Sequence, residues 1–95
     1  YEARGYEVVA RNWRCREGEL DLVLRRNRTI VFCEVKTRSS DAFGSPAEAV
    51  THTKRARIRR LAALWLEHSN VVAREIRFDV AAVLDGEIEL YEGAF

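Results

Sequence analysis

Two alternating runs, "ELDLVLRR" at residues 19–26 and "TIVFCEVK" at residues 29–36, are separated by only Asn27 and Arg28. Alternation with period two marks a half-buried strand, and so short a gap leaves room for little but a hairpin turn. Asn27 tolerates a positive φ, whereas Arg28 is a poor second turn residue, so the turn type stays open. With Arg26 set against Thr29, Leu24 meets Val31, Leu22 meets Cys33 and Asp21 meets Glu34. Directly opposed residues share a face, and so do residues two apart. Leu20, Leu22, Leu24, Val31, Cys33 and Val35 then cover one face. Glu19, Asp21, Glu34 and Lys36 project from the other, at one end of the hairpin. A bulge or an odd-length loop would undo this register.

The rest of the chain supplies a sheet around the hairpin. "YEARGY" reads as the tail of a helix stopped at Gly5, residues 6–12 as a strand, and "NWRCREG" as a basic loop. Residues 37–46 read as a loop rich in Ser and Gly. Ser45, Pro46 and Glu48 then form a capping box, which predicts a helix from Pro46 to about His68. Its core-facing stripe is Val50, Ile58, Leu61, Ala62, Trp65 and Leu66. Residues 75–84 are a strand, Asp85-Gly86 a turn, and "EIELYE" the returning strand. A helix between strands requires a crossover, so the fold class is α/β: a mixed sheet of about five strands flanked by helices. At 95 residues, with no repeat or low-complexity tract, residues 1–95 form one domain whose N-terminal helix is incomplete.

The apolar fraction of 47% is that of a globular protein, and a net charge of +1 alone implies no nucleic-acid partner. Lys and Arg total 16, yet all but Lys36 and Lys54 are Arg. Cys15 and Cys33 make no disulfide framework or zinc spacing, so a reduced, cytoplasmic setting is the default. No stretch is long and apolar enough to span a membrane. The chain opens on Tyr1 rather than Met, which leaves a preceding segment, even a signal, open.

Opposed carboxylates repel and require a counter-charge. Lys36 supplies one against three acids. A hard divalent cation fits better, because Mg²⁺ or Mn²⁺ takes carboxylate oxygens, keeps several waters and leaves room for phosphate. Lys36 would orient a water or stabilise developing charge. Its carboxylate neighbours oppose deprotonation and argue against a general base. An ordinary cross-strand ion pair on a solvated face is the bland alternative.

The series "GELDLV…VFCEVKTR…FGSPAEAV…K…R…RFDV" resembles the YraN family of uncharacterised bacterial proteins over essentially the whole chain. More distantly it is similar to PD-(D/E)XK nucleases, notably archaeal Holliday-junction resolvases. Asp21 and Glu34 would be the motif's two acids, Lys36 its lysine, and Glu19 an additional acid. The resemblance implies a restriction-endonuclease-like fold, Mg²⁺- or Mn²⁺-dependent phosphodiester hydrolysis in branched or structured DNA, and a homodimer. A Glu that such nucleases carry on the first helix has no match here; Glu2 lies near that element without fitting the motif.

Other basic residues are candidate nucleic-acid contacts: Arg14 and Arg16 before Glu19, Arg38 after the motif lysine, and Lys54, Arg55 and Arg59 on the helix. Arg55 and Arg59 share one helix side, Lys54 and Arg57 another. Trp13 reads as core or edge packing, Asp79 as a structural partner of Arg77, and Cys33 as a small core residue. Two rivals to the nuclease stay open, a nucleic-acid-binding module of the same fold and a structural or protein-interaction domain.

Overall fold

The computed structural model describes residues 1–38, 51–84 and 86–95. The capping box at Ser45, Pro46 and Glu48, the helix position Val50, Asp85, and the loop at 39–46 lie outside the described residues, as does the side chain of Arg38. Five strands form one sheet in the order β1-β2-β3-β4-β5: β1 Glu7–Cys15, β2 Gly18–Arg26, β3 Thr29–Arg38, β4 Glu75–Leu84 and β5 Glu87–Tyr91. The helix α1, His52–Ser69, lies between β3 and β4, which pair in parallel from Thr29↔Glu75 to Arg38↔Leu84. The other neighbours are antiparallel. This is the mixed α/β sheet expected, and its open form is consistent with a restriction-endonuclease-like fold.

The central hairpin has the register derived above, with Arg26↔Thr29, Leu24↔Val31 and Leu22↔Cys33. Asn27 has φ 55 and Arg28 no positive φ, the pattern of a type II′ turn, whose twist matches that of the flanking strands. Three expectations change. "NWRCREG" is not a loop: Trp13 pairs with Leu20 and Arg14 with Glu19, because Trp13 and Cys15 carry β1 onward by packing against the core. The helix does not run unbroken from Pro46. Thr51 is extended (φ −65, ψ 161), and its hydroxyl accepts the Lys54 N–H at 3.2 Å, as an N-cap does. The N-terminal helix tail is one 3₁₀ turn, Glu2–Arg4, stopped as expected at Gly5 with φ 84.

The core has two sides. Ile58, Leu61, Ala62 and Trp65 of α1 pack onto Leu20, Val23, Ile30, Phe32 and Val80. Tyr6, Leu24, Val31, Cys33 and Ala81 form the opposite side, with Tyr1 edge-on to Tyr6. Leu20 therefore does not share a face with Leu22 and Leu24. Trp13 and Ala10, an odd number of positions apart, both lie on the helix side, and so do Leu20 and Val23. The alternation slips by one around Asn12, held at φ 49, and Asp21 across from it.

Asp79 is fully buried and fully satisfied. Arg77 donates to both its oxygens at 2.8 and 2.9 Å, the Tyr1 hydroxyl donates at 2.7 Å, and the Gly93 N–H donates at 3.0 Å. Its role is structural, tying both ends of the chain to β4. No helix among the described residues is long and apolar enough to cross a membrane.

Candidate active site

The slip at Asp21 shapes the site. Pairing between β2 and β3 ends at Leu22↔Cys33, so Asp21 does not sit opposite Glu34 in the ladder. Its Oδ2 instead accepts the Val35 N–H at 2.9 Å, replacing a backbone bond where the strands part. Glu34 shares the parity of Phe32 and looks toward α1; its side chain is only 11% exposed. Burial of a carboxylate demands compensation, and two amines supply it. Lys54 Nζ lies 2.9 Å and Lys36 Nζ 3.9 Å from the same oxygen, Glu34 Oε1. The charge of Asp21 acts on both amines as well. Asp21, Glu34 and Lys36 thus converge as expected, by a different local route.

Lys54 completes the group. Among the expected contacts it was a phosphate-gripping helix residue; the structure puts it at the centre. It stands in the first turn of α1, which holds no acid. A cation there opposes the helix dipole by about 0.3–1 kcal/mol, which the Glu34 ion pair offsets. The scarcity of lysine was the usable signal: the chain's two lysines meet here.

Their contact separates their proton affinities. Lys36 is held below the ordinary lysine value, first by its bond to Lys54 and then by burial, against the opposing pull of Glu34 and Asp21. Lys54 is raised by its bonds to Lys36 and Glu34. Lys36 is therefore the amine that more readily gives up its proton, and the argument against a basic role loses its force.

Glu19 does not join the two acids. Its Oε2 takes the Arg14 Nε–H at 2.6 Å, and no three His, Cys, Asp or Glu side chains cluster among the described residues. Two carboxylates remain, and they suit a hard cation that keeps most of its shell as water and phosphate oxygen. Asp21 and Glu34 are the carboxylates available to it.

Among the described residues, the candidate nucleic-acid contacts have different partners. Arg14 is paired with Glu19, and Arg16 stands exposed in the β1–β2 turn. Arg55 lies over the Phe95 ring at 5.6 Å, and Arg59 over Phe78 and Phe95 at 5.8 Å each. Arg60 leaves the helix on the other side, to Glu17 at 3.1 Å.

The profile of the uncharacterised protein family UPF0102 matches residues 1–83. A UPF0102 protein of Beutenbergia cavernae is 66% identical over 83 residues, covering 87% of this chain and 70% of the relative. One of Nocardia farcinica is 62% identical over 80 residues, covering 84% of this chain and 63% of the relative. One of Moorella thermoacetica is 47% identical over 97 residues, covering 96% and 81%. The chain thus spans 63–70% of the length of the first two.

Proposed function

The chain belongs to the uncharacterised bacterial protein family UPF0102, the YraN family, and we propose that its domain is a Mg²⁺- or Mn²⁺-dependent endonuclease acting on DNA. The observation that carries this reading is the meeting of Asp21, Glu34, Lys36 and Lys54 where β2 and β3 part. Asp21 and Glu34 would hold the cation. When bound, it supplies charge stabilisation at a phosphoryl oxygen and a more acidic water. Lys54 neutralises Glu34 and sets the proton affinity of Lys36. Lys36, in the neutral form that its lowered proton affinity favours, would orient the attacking water and take that water's proton at Nζ. Arg16 and the start of α1 would add positive potential for phosphate, and Arg38, next but one after Lys36 in sequence, is proposed as a further contact.

Branched or structured DNA as substrate, and a dimer that cuts two strands, belong to the same proposal. They rest on the resemblance to resolvases. A reducing, cytoplasmic setting is also proposed, on the separate ground that Cys15 and Cys33 are both free.

The test is cleavage of linear, flapped and four-way DNA with Mn²⁺, run beside Asp21→Ala and Lys36→Ala. Both substitutions should abolish cutting. Cutting that survives both removes this site from consideration. One observation favours a second reading, binding without cleavage: Glu34 Oε1 is already held by an amine at 2.9 Å, and no third acid joins the pair among the described residues. Tight DNA binding, indifferent to metal and without products, would select it.

A further inference from the structure

We propose that Arg57 binds a DNA phosphate next to the one at the carboxylates; this rests on the nuclease or DNA-binding reading above. Five basic side chains follow the cap of α1: Lys54, Arg55, Arg57, Arg59 and Arg60. Lys54 is held by Glu34 and Arg60 by Glu17, while Arg55 and Arg59 lie over aromatic rings. Arg57 is exposed and has no ion pair or ring contact among the described residues. It follows Lys54 by three positions, so their Cβ atoms are about 5–6 Å apart on one helix side.

Its stem nevertheless lies against the start of β2. A Cβ at Gly18 would lie 3.8 Å from Arg57 Cδ and 3.5 Å from Leu61 Cδ1. Gly18 also has φ 144, which L side chains rarely adopt. The start of β2 therefore approaches α1 closely, and the Arg57 stem packs across it. A guanidinium on a packed stem, one helical step from the amine at Glu34, suits a phosphodiester oxygen. Arg offers a planar fork for such a group at little ordering cost.

The experiment measures affinity for labelled duplex and four-way DNA against salt, in EDTA so that nothing is cut. Each contacted phosphate contributes about 0.9 to the slope of log affinity on log salt. Arg57→Ala should lower that slope by about 0.9 and the affinity several-fold. Arg57→Lys should restore most of the slope, and Arg60→Ala should leave it unchanged. Thermal melting of each variant separates lost binding from lost folding. If Arg57→Ala keeps the full slope while Asp21→Asn abolishes cutting, the Arg57 assignment falls and the nuclease stands. If the unaltered chain binds no DNA at low salt, both fall.

Discussion

Lys36 and Lys54, eighteen positions apart in sequence, share one carboxylate oxygen: Glu34 Oε1 lies 3.9 Å from the first amine and 2.9 Å from the second. One acceptor oxygen bridges two amines that also contact each other, so they titrate as a pair of unequal members.

That inequality is measurable. With two lysines in the chain, side-chain NMR should show two lysine titrations, Lys36 below the ordinary value of 10.5 and Lys54 above it. Lys54→Ala should move Lys36 upward by removing the first cause of its shift. The sign for stability follows. Below 10.5 and above its own folded value, Lys36 binds fewer protons folded than unfolded, so it adds stability as pH rises through that window. Lys54 does the opposite above 10.5. A single unshifted lysine titration would refute the coupling.

Manganese uptake should follow the two-carboxylate arrangement. Calorimetry should find one ion per chain, weakened at least tenfold by Asp21→Asn or Glu34→Gln. Glu19→Gln should leave it within about twofold, because Arg14 already holds that carboxylate. Equal losses from all three substitutions would restore the three-acid site.

Asp79→Ala should be the most damaging polar substitution. It leaves Arg77 only the more distant Glu92, at 3.8 Å, as a carboxylate partner and removes the acceptor of the Tyr1 hydroxyl and the Gly93 N–H. Breaking a buried pair costs about 3–5 kcal/mol, a large share of the stability of a domain this size. Urea unfolding should show it as a lower midpoint with an unchanged slope.

Cys33 should resist thiol reagents while Cys15 reacts. Burial pushes the Cys33 thiol up to about 11, from an ordinary 9.0. Titration of the folded chain should count one thiol, and of the unfolded chain two. In the folded chain Cys33 keeps its proton between those values, so its contribution to stability is lost as pH rises from 9.0 toward 11.

Much of this was legible in the sequence, for identifiable reasons. Period-two alternation and the two-residue gap gave the β2–β3 register, and the residues 75–84 gave β4 to the residue. Alternation also led to Asp21 and Glu34, but it presumes an unbroken ladder. Asn12 at φ 49 breaks the rule, and with it went the placements of Leu20 and Glu19. Proline and glycine punctuation reveals turns, whereas an asparagine in the left-handed region within a strand leaves no comparable mark. Lys54 matches a lysine of the YraN motif and reads as able to reach the site but not as catalytic; its partner is on a different element, and charge counted along a helix shows only neighbours on that helix. The Arg55 and Arg59 pairing was correct as a helix side, and only the folded chain puts Phe78 and Phe95 beneath it.

The parallel seam between β3 and β4 has a consequence for how the molecule assembles. The meander β1-β2-β3 and the pair β4-β5 are each built from contacts close in sequence. The seam joins residues as distant as Thr29 and Glu75 and must bear the entropy of closing the intervening chain. Asp21, Glu34 and Lys36 belong to the first half, while Lys54 rides on the crossover itself. A chain in which the seam has not closed therefore holds Asp21 and Glu34 without Lys54, and the four side chains meet only once that long-range pairing has formed.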